Sequence, residues 1–267
     1  MRKLSISQAW DESRAVLARD GKLIATVALA LFVLPGIVLN LVMPRTPTPE
    51  MPRPNAWMLV ALIPILISLV GQLSVVRLAM GPHVSVGEAI VHGARRLPSY
   101  LGAVLAWTIP FMFVGSVLYA LVARDPQHPS LGAAIGLLVL TALGVFIAVR
   151  LILMSPVASA ERAGPIAIMR RSWALSRGNW WRLFGFLVMF LIGALVLLFA
   201  VQSVTALIVR VVFHDISPLS VGGLLVSIVS QLVSGAVSVF LFVMLARIYV
   251  QLTNQAHVEA TVPSTGI

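Results

Sequence analysis

The sequence has no cysteine. That excludes disulfides, a thiolate metal site and a cysteine nucleophile, and leaves the redox compartment unread. Charge is the second scarcity. Charged residues make up 10% of the chain, against about 25% in an ordinary soluble domain. Acidic residues are rarest, 9 against 19 Lys plus Arg. No metalloprotease H-E-x-x-H, no G-x-S-x-G and no paired intramembrane aspartate is present. What fills the chain is apolar: 59% of its 267 residues, with a mean hydropathy of +1.00. That composition excludes a disordered chain, argues against a water-soluble enzyme and points to an integral membrane protein.

A helix crosses the hydrocarbon core in about 20 apolar residues. Six runs without Asp, Glu, Lys or Arg are long enough: Leu23–Met43, Trp57–Val76, Ser99–Ala123, Leu131–Val149, Leu183–Val209 and Leu219–Ala246. The segments 1–22, 77–98, 150–182 and the tail from 247 hold 15 basic residues. The alternate segments hold only Arg45, Arg53, Arg124 and Arg210. The positive-inside rule then places both termini in the cytoplasm. Asp11, Glu12 and Asp20 precede the first run, so the sequence predicts an uncleaved first span rather than a signal peptide. Residues 253–267 are expected to be a disordered tail.

Each odd-numbered span follows a short stretch of helical periodicity: Ser7–Arg19, Ser85–Leu97 and Gly164–Arg177. Ala9, Ala89 and Ala167 hold corresponding places. The sequence therefore predicts one six-span domain over 1–252, made of three units (about 5–80, 85–157 and 163–250). Each unit is a cytoplasmic amphipathic helix followed by a two-span hairpin, giving an all-α polytopic fold of pseudo-threefold character. Ile6, Trp10, Ser13 and Leu17 form the first predicted stripe, with Ser7 as N-cap. Ser85 caps the second stretch and Pro98 ends it. Ile166, Met169 and Trp173 form the third stripe, with Pro165 at the first helical position and Gly178 beyond its end. Pro35, Pro64 and Pro110 are candidate kinks.

Each even-numbered span ends in one arginine: Arg77, Arg150 and Arg247. Snorkelling to phosphate is the plain reading. A ring of the three could also hold an anionic headgroup, with Arg150 drawn deepest by the apolar Leu151–Met154 that follows it. Of the five histidines, His83, His92 and His257 are expected at the cytoplasmic surface and His128 and His214 outside. Glu88 is expected to pair with Arg95 or Arg96, and Glu161 with Arg162.

The third basic segment reads Ser155-Pro156, Glu161, Gly164-Pro165, Ala167-Ile168, then Arg171-Ser172-Trp173-Ala174-Leu175-Ser176-Arg177-Gly178-Asn179-Trp180-Trp181-Arg182. The order P…E…GP-x-A-I…R-S-W-x-L-x-x-G-x-W resembles the membrane domain of glycerophosphoryl diester phosphodiesterase and related small six-span bacterial proteins. The specific motif spans about 155–185. The resemblance implies the six-span layout and a bacterial inner membrane. It implies no phosphodiesterase activity, because that belongs to a separate soluble barrel in the family and six spans consume this chain.

No catalytic residue, metal ligand or cofactor is predicted. The partners expected are anionic membrane lipids and an unidentified protein, with no nucleic acid. The candidate lipid- or anion-binding residues are Arg77, Arg150, Arg247, Arg170, Arg171, Arg177, Arg182, Trp173, Trp180 and Trp181. The reading is a non-enzymatic membrane protein that organises or senses anionic lipid, or supports a partner, through its basic cytoplasmic face. The alternative is a transporter or channel for an amphiphilic or anionic solute, with a polar cavity near Arg150, Gln72 and Gln231.

Overall fold

The computed structural model describes residues 4–42, 56–81, 84–123, 131–213 and 220–261. Among these residues all regular structure is helical. The elements are α1 (Ile6–Ala28), a π-helical turn (Leu29–Val33), α2 (Leu34–Val42), α3 (Ala56–Met80), α4 (Val86–Ala123), α5 (Leu131–Leu151), α6 (Met154–Ala160), α7 (Pro165–Leu175), α8 (Trp180–Phe213) and α9 (Val221–Thr261). Six helical stretches are long and apolar enough to cross a membrane: Ile6–Asn40, Leu59–Met80, Val86–Ala123, Leu131–Ala160, Trp180–Phe213 and Val221–Asn254. These are the helices of a multi-pass membrane protein. The connectors with Arg45, Arg53, Arg124, His128 and His214 lie outside the described residues, as do His83 and the side chain of His257.

Local chemistry explains most boundaries and several departures from expectation. Ser5, not Ser7, caps α1, accepting from the Gln8 N–H at 3.3 Å. Ser85 and Glu88 form a reciprocal capping box, with Glu88 N–H to Ser85 Oγ at 3.3 Å and Ser85 N–H to Glu88 Oε2 at 3.0 Å. Glu88 is thus engaged at the cap and not with Arg95 or Arg96. Pro98 does not end the second stretch, since α4 runs unbroken through it. The carbonyl that loses its donor belongs to Ala94, which is exposed like Pro98, so solvent or headgroups satisfy it. The first stretch likewise flows into the first span, through the π turn. There the Leu34 N–H reaches back to Leu29 O, and the widened turn accommodates Pro35, which has no N–H to give. Only the third stretch is a separate helix. It starts with Pro165 behind an extended Gly164 and is followed by Gly178 at φ +80°, a conformation glycine adopts without penalty. At the other end of the chain α9 continues to Thr261, past the expected start of a disordered tail.

The first two stretches bury small residues, and the third buries Ile168 with a small one. Ala9 with Ser13, Ala89 with Gly93, and Ile168 with Ser172 are the buried pairs. The third pair falls one residue later than Ala167, which is exposed. Trp10 and Ile166, on the apolar stripes read from periodicity, are exposed. A small residue lets two helix axes approach closely, as Ala9, Ala89 and Gly93 do in the first two stretches.

The core gathers at one end. Leu73, Val75, Val76, Leu78 and Ala79 of α3 and Val243, Met244, Leu245, Ala246 and Ile248 of α9 are all buried. They pack with α1, α6 and the start of α8 in two clusters. Arg77 and Arg247 lie within these buried runs, so the packed end is the arginine-bearing end. Away from it the spans are exposed, for example at Leu131, Ile135 and Leu138 of α5 and at Met189, Phe199 and Val211 of α8.

Candidate anion site at the arginine-rich end

The end of α5 is held through its carbonyls, of which that of Arg150, in the last turn, lacks an intrahelical partner. Ser172 Oγ and Ser176 Oγ donate to Arg150 O at 3.0 and 3.3 Å. Trp180 Nε1 donates to Phe146 O at 3.3 Å. These bonds fix α7 and the start of α8 against α5 and set the Arg150 guanidinium beside two rings, Phe146 and Trp173, which meet each other edge-on at 6.0 Å. Its Cζ is 5.3 Å from the Phe146 centroid and 5.4 Å from that of Trp173, both within cation–π range. Its Nε and Nη1 are buried and have no hydrogen-bond partner. A buried N–H without an acceptor costs about 1–3 kcal/mol, more on a charged group. Arg150 is therefore a costly residue for the packing around it.

Beside it a cavity of about 830 Å³ opens between α4, α5 and α7. Trp107, Phe111, Leu140 and Ile147 line its apolar wall, and Trp173, Arg170 and Arg177 stand at its polar end. Arg170 and Arg177 are exposed. Gly144 faces the Phe111 ring so closely that a Cβ would lie 2.9 Å from Cε2, so the α4–α5 contact below the cavity requires glycine. An apolar slot closed at one end by cations has the form of an amphiphile site.

The other candidates are dispersed. Arg247 pairs with Glu12, Nε to Oε2 at 2.9 Å and Nη2 to Oε2 at 2.8 Å, tying α9 to α1. Arg171 Nε donates to Glu161 Oε1 at 2.9 Å, and Tyr249 Oη donates to the same oxygen at 2.9 Å. Glu161 thus binds Arg171, not the adjacent Arg162, because the extended link after α6 turns its side chain toward α7 and α9. Arg182 Nη1 donates to Leu4 O at 2.6 Å, which makes it a strut for the N-terminal segment. Trp180 stacks on Phe184, centroids 5.0 Å apart, while Trp181 is 77% exposed. Arg77 lies beside His92, which is half-buried rather than a free surface group. Arg77, Arg150 and Arg247 thus have three different sets of neighbours in place of one ring. Of the ten residues, Arg170, Arg177 and Trp173 line one cavity, and Arg150 adjoins it through the Trp173 ring.

A family match covers residues 4–252. The chain belongs to DUF7847, a domain of unknown function. No curated protein and no solved structure matches it. Membership of DUF7847 brings no activity and no link to glycerophosphoryl diester phosphodiesterase, so that resemblance rests on the 155–185 motif alone.

Sequence reasoning missed Glu12 and Glu161 as partners of Arg247 and Arg171, and Phe146 as the second ring of the Arg150 cage. Phe146 lies four residues before Arg150 on α5, a spacing that places both on one helix face and was the available signal. Gln72 and Gln231 do not meet: Gln72 bonds Tyr100 of α4, and Gln231 lies against Gly36 of α2. Neither lines the cavity beside Arg150.

The Glu12–Arg247 pair gives a direct test of packing at this end. Its side chains are 25% and 23% exposed, so solvent screens part of its energy. Glu12→Gln is expected to cost about 1–2 kcal/mol, between the exposed and the fully buried cases. Equilibrium unfolding in detergent micelles checks it, and an unchanged midpoint would mark the pair as incidental.

Proposed function

We propose that this protein is a non-enzymatic inner-membrane protein that captures an anionic amphiphile, in the first instance a phospholipid. Its headgroup would bind at Arg150, Arg170 and Arg177, and its tail would lie along Trp107, Phe111 and Leu140. The observation that carries this reading is the Arg150 guanidinium, packed beside the Phe146 and Trp173 rings with two nitrogens lacking acceptors, next to an apolar slot that Trp173, Arg170 and Arg177 line. Guanidinium forks suit phosphate oxygens, and exposed Trp181 and half-buried Trp173 suit the interface. The basic end faces the cytoplasm in this reading, on the Lys/Arg bias. The three-unit plan is part of the same proposal. It is supported by the packing of α2 on α3, α4 on α5 and α8 on α9, and by the buried pair one turn apart in each leading stretch. Those stretches act as interfacial helices, with Trp10 and Ile166 toward the bilayer.

The experiment is quantitative lipid analysis of the protein extracted with its native lipid, compared with bulk membrane. Enrichment of one anionic lipid is expected, with loss of most of that enrichment in the double variant Arg170→Gln/Arg177→Gln. Lipid ratios equal to bulk in the unaltered protein would sink the reading.

A further inference from the structure

A second cavity, of about 940 Å³, runs as a groove between α1, α8 and α9. It shares no lining residue with the cavity between α4, α5 and α7. Its mouth lies at the arginine-rich end. Arg182 stands there, immediately before the apolar run of α8, and is the single charged residue of the lining. The mouth is braced. Leu4 N–H donates to Asn179 Oδ1 at 3.3 Å, and Arg182 Nη1 donates to Leu4 O at 2.6 Å. These bonds hold the start of α1 in place, and Trp10 meets Phe240 edge-on at 4.8 Å across the groove. Among the described residues no carboxylate pairs with Arg182. Its one polar contact there is a carbonyl, which leaves the charge uncompensated.

Two glycines of α8 keep the groove open. Gly185 and Gly193 line it, and a Cβ on either would meet nothing within 4 Å. Gly93 and Gly144 differ, because neighbouring helices press on both. Glycine is disfavoured inside a helix, and packing within the chain does not account for Gly185 or Gly193.

The length of the groove selects its occupant. From Arg182 to Val201, α8 lines it for about 28 Å, at a rise of 1.5 Å per residue. Even at a tilt of 40° that is about 22 Å of depth, whereas the midplane of a ~30 Å hydrocarbon core lies about 15 Å down. The tails of a phospholipid headed at Arg182 stop near the midplane and leave the deep end unfilled. A helix is too wide. At about 10–12 Å across, 28 Å of it fills roughly 2200 Å³ or more, over twice the space. A single thin chain that passes the midplane suits the groove, with an anionic head whose oxygens match the guanidinium fork.

We propose that this groove holds a single-tailed anionic lipid longer than one leaflet, of the polyprenyl phosphate class. Its phosphate lies at Arg182, and its chain passes Gly185 and Gly193 toward Val201. The site is separate from the Arg150 slot and does not rest on it.

The test uses the full chain in phosphatidylcholine nanodiscs carrying a long-chain polyprenyl phosphate, with bound lipid counted by native mass spectrometry. Phosphatidic acid and uncharged polyprenol are compared at equal mole fraction. Gly193→Leu fills the groove where nothing stands within 4 Å, so its unfolding midpoint is expected to be unchanged. Retention is scored as the part lost in Gly193→Leu, so lipid held at the Arg150 cavity does not count. Polyprenyl phosphate is expected to be retained about tenfold better than either comparison lipid. Arg182→Gln, with monodisperse elution as the folding control, is expected to weaken retention about tenfold, the loss of one charge-assisted contact, and Arg170→Gln to leave it unchanged. Equal retention of phosphatidic acid overturns the chain-length argument, and equal retention of polyprenol overturns the role of Arg182. Retention indifferent to Gly193→Leu, a lowered midpoint in that variant, or a dimer of the chain that the variant dissolves overturns the site. The Arg150 reading is tested by Arg170→Gln/Arg177→Gln, so failure of either reading leaves the other standing.

Discussion

Gly93→Ala is expected to destabilise the protein by about 1–3 kcal/mol, the usual cost of overpacking a closed contact, and Gly93→Leu by more. The added Cβ would sit 2.7 Å from both Ser74 Oγ and Val70 O. Neither atom yields easily. Val70 O is backbone, and it already accepts from Ser74 Oγ at 2.7 Å. Relief requires α4 to move off α3, which also pulls His92 Nε2 from Ser159 O, 2.8 Å away. Gly87, six residues earlier in the same helix, has nothing within 4 Å of its would-be Cβ. Gly87→Ala is therefore expected to be neutral or to stabilise by about 0.5–1 kcal/mol, from helix propensity alone. Parallel unfolding curves of the two variants in one detergent decide the matter. Equal effects would show that α3 and α4 do not touch as described.

Arg150→Met is expected to separate stability from binding. The change keeps length and apolar bulk but removes the guanidinium. It forfeits two cation–π contacts of about 0.5–2 kcal/mol each. It also removes two buried donors without acceptors, whose burial costs about 1–3 kcal/mol each. The ligand-free protein should thus unfold at the same midpoint or a higher one, while the enrichment of anionic lipid disappears. A residue kept for binding at the expense of packing shows this pattern. A steep loss of stability with lipid content unchanged would make Arg150 a structural residue instead.

The sequence discloses this protein unevenly. The six apolar helices follow from composition and run length, because a span must be apolar along its whole length whatever it packs against. Helix ends are less legible. Pro98 reads as a stop, yet the carbonyl it deprives is exposed and tolerates the loss, and the sequence does not show which face of α4 is outward. The side of each leading stretch that faces the bundle is not legible for a related reason. Periodicity puts Trp10 and Ile166 on apolar stripes but does not show that Ala9, Ala89 and Gly93 are the residues packed inward. At the candidate site the arginines and Trp173 stand out in the sequence because charge is so scarce. Their partners do not. Glu12 and Arg247 are tied only by tertiary packing across nearly the whole chain, and nothing in either segment announces the other.

The concentration of buried residues at the arginine-bearing end bears on how the two faces of a bilayer would treat this protein. Near Arg77 and Arg247 helix meets helix, and lipid tails find little space between them. Toward the opposite ends the spans present Leu131, Ile135, Met189 and Phe199 to their surroundings, so tails fill the gaps that side chains leave. In a membrane the protein is then solvated asymmetrically. One leaflet meets a closed wall, and the other becomes part of the interior, so tail length and saturation in that leaflet alone would govern how far the helices spread.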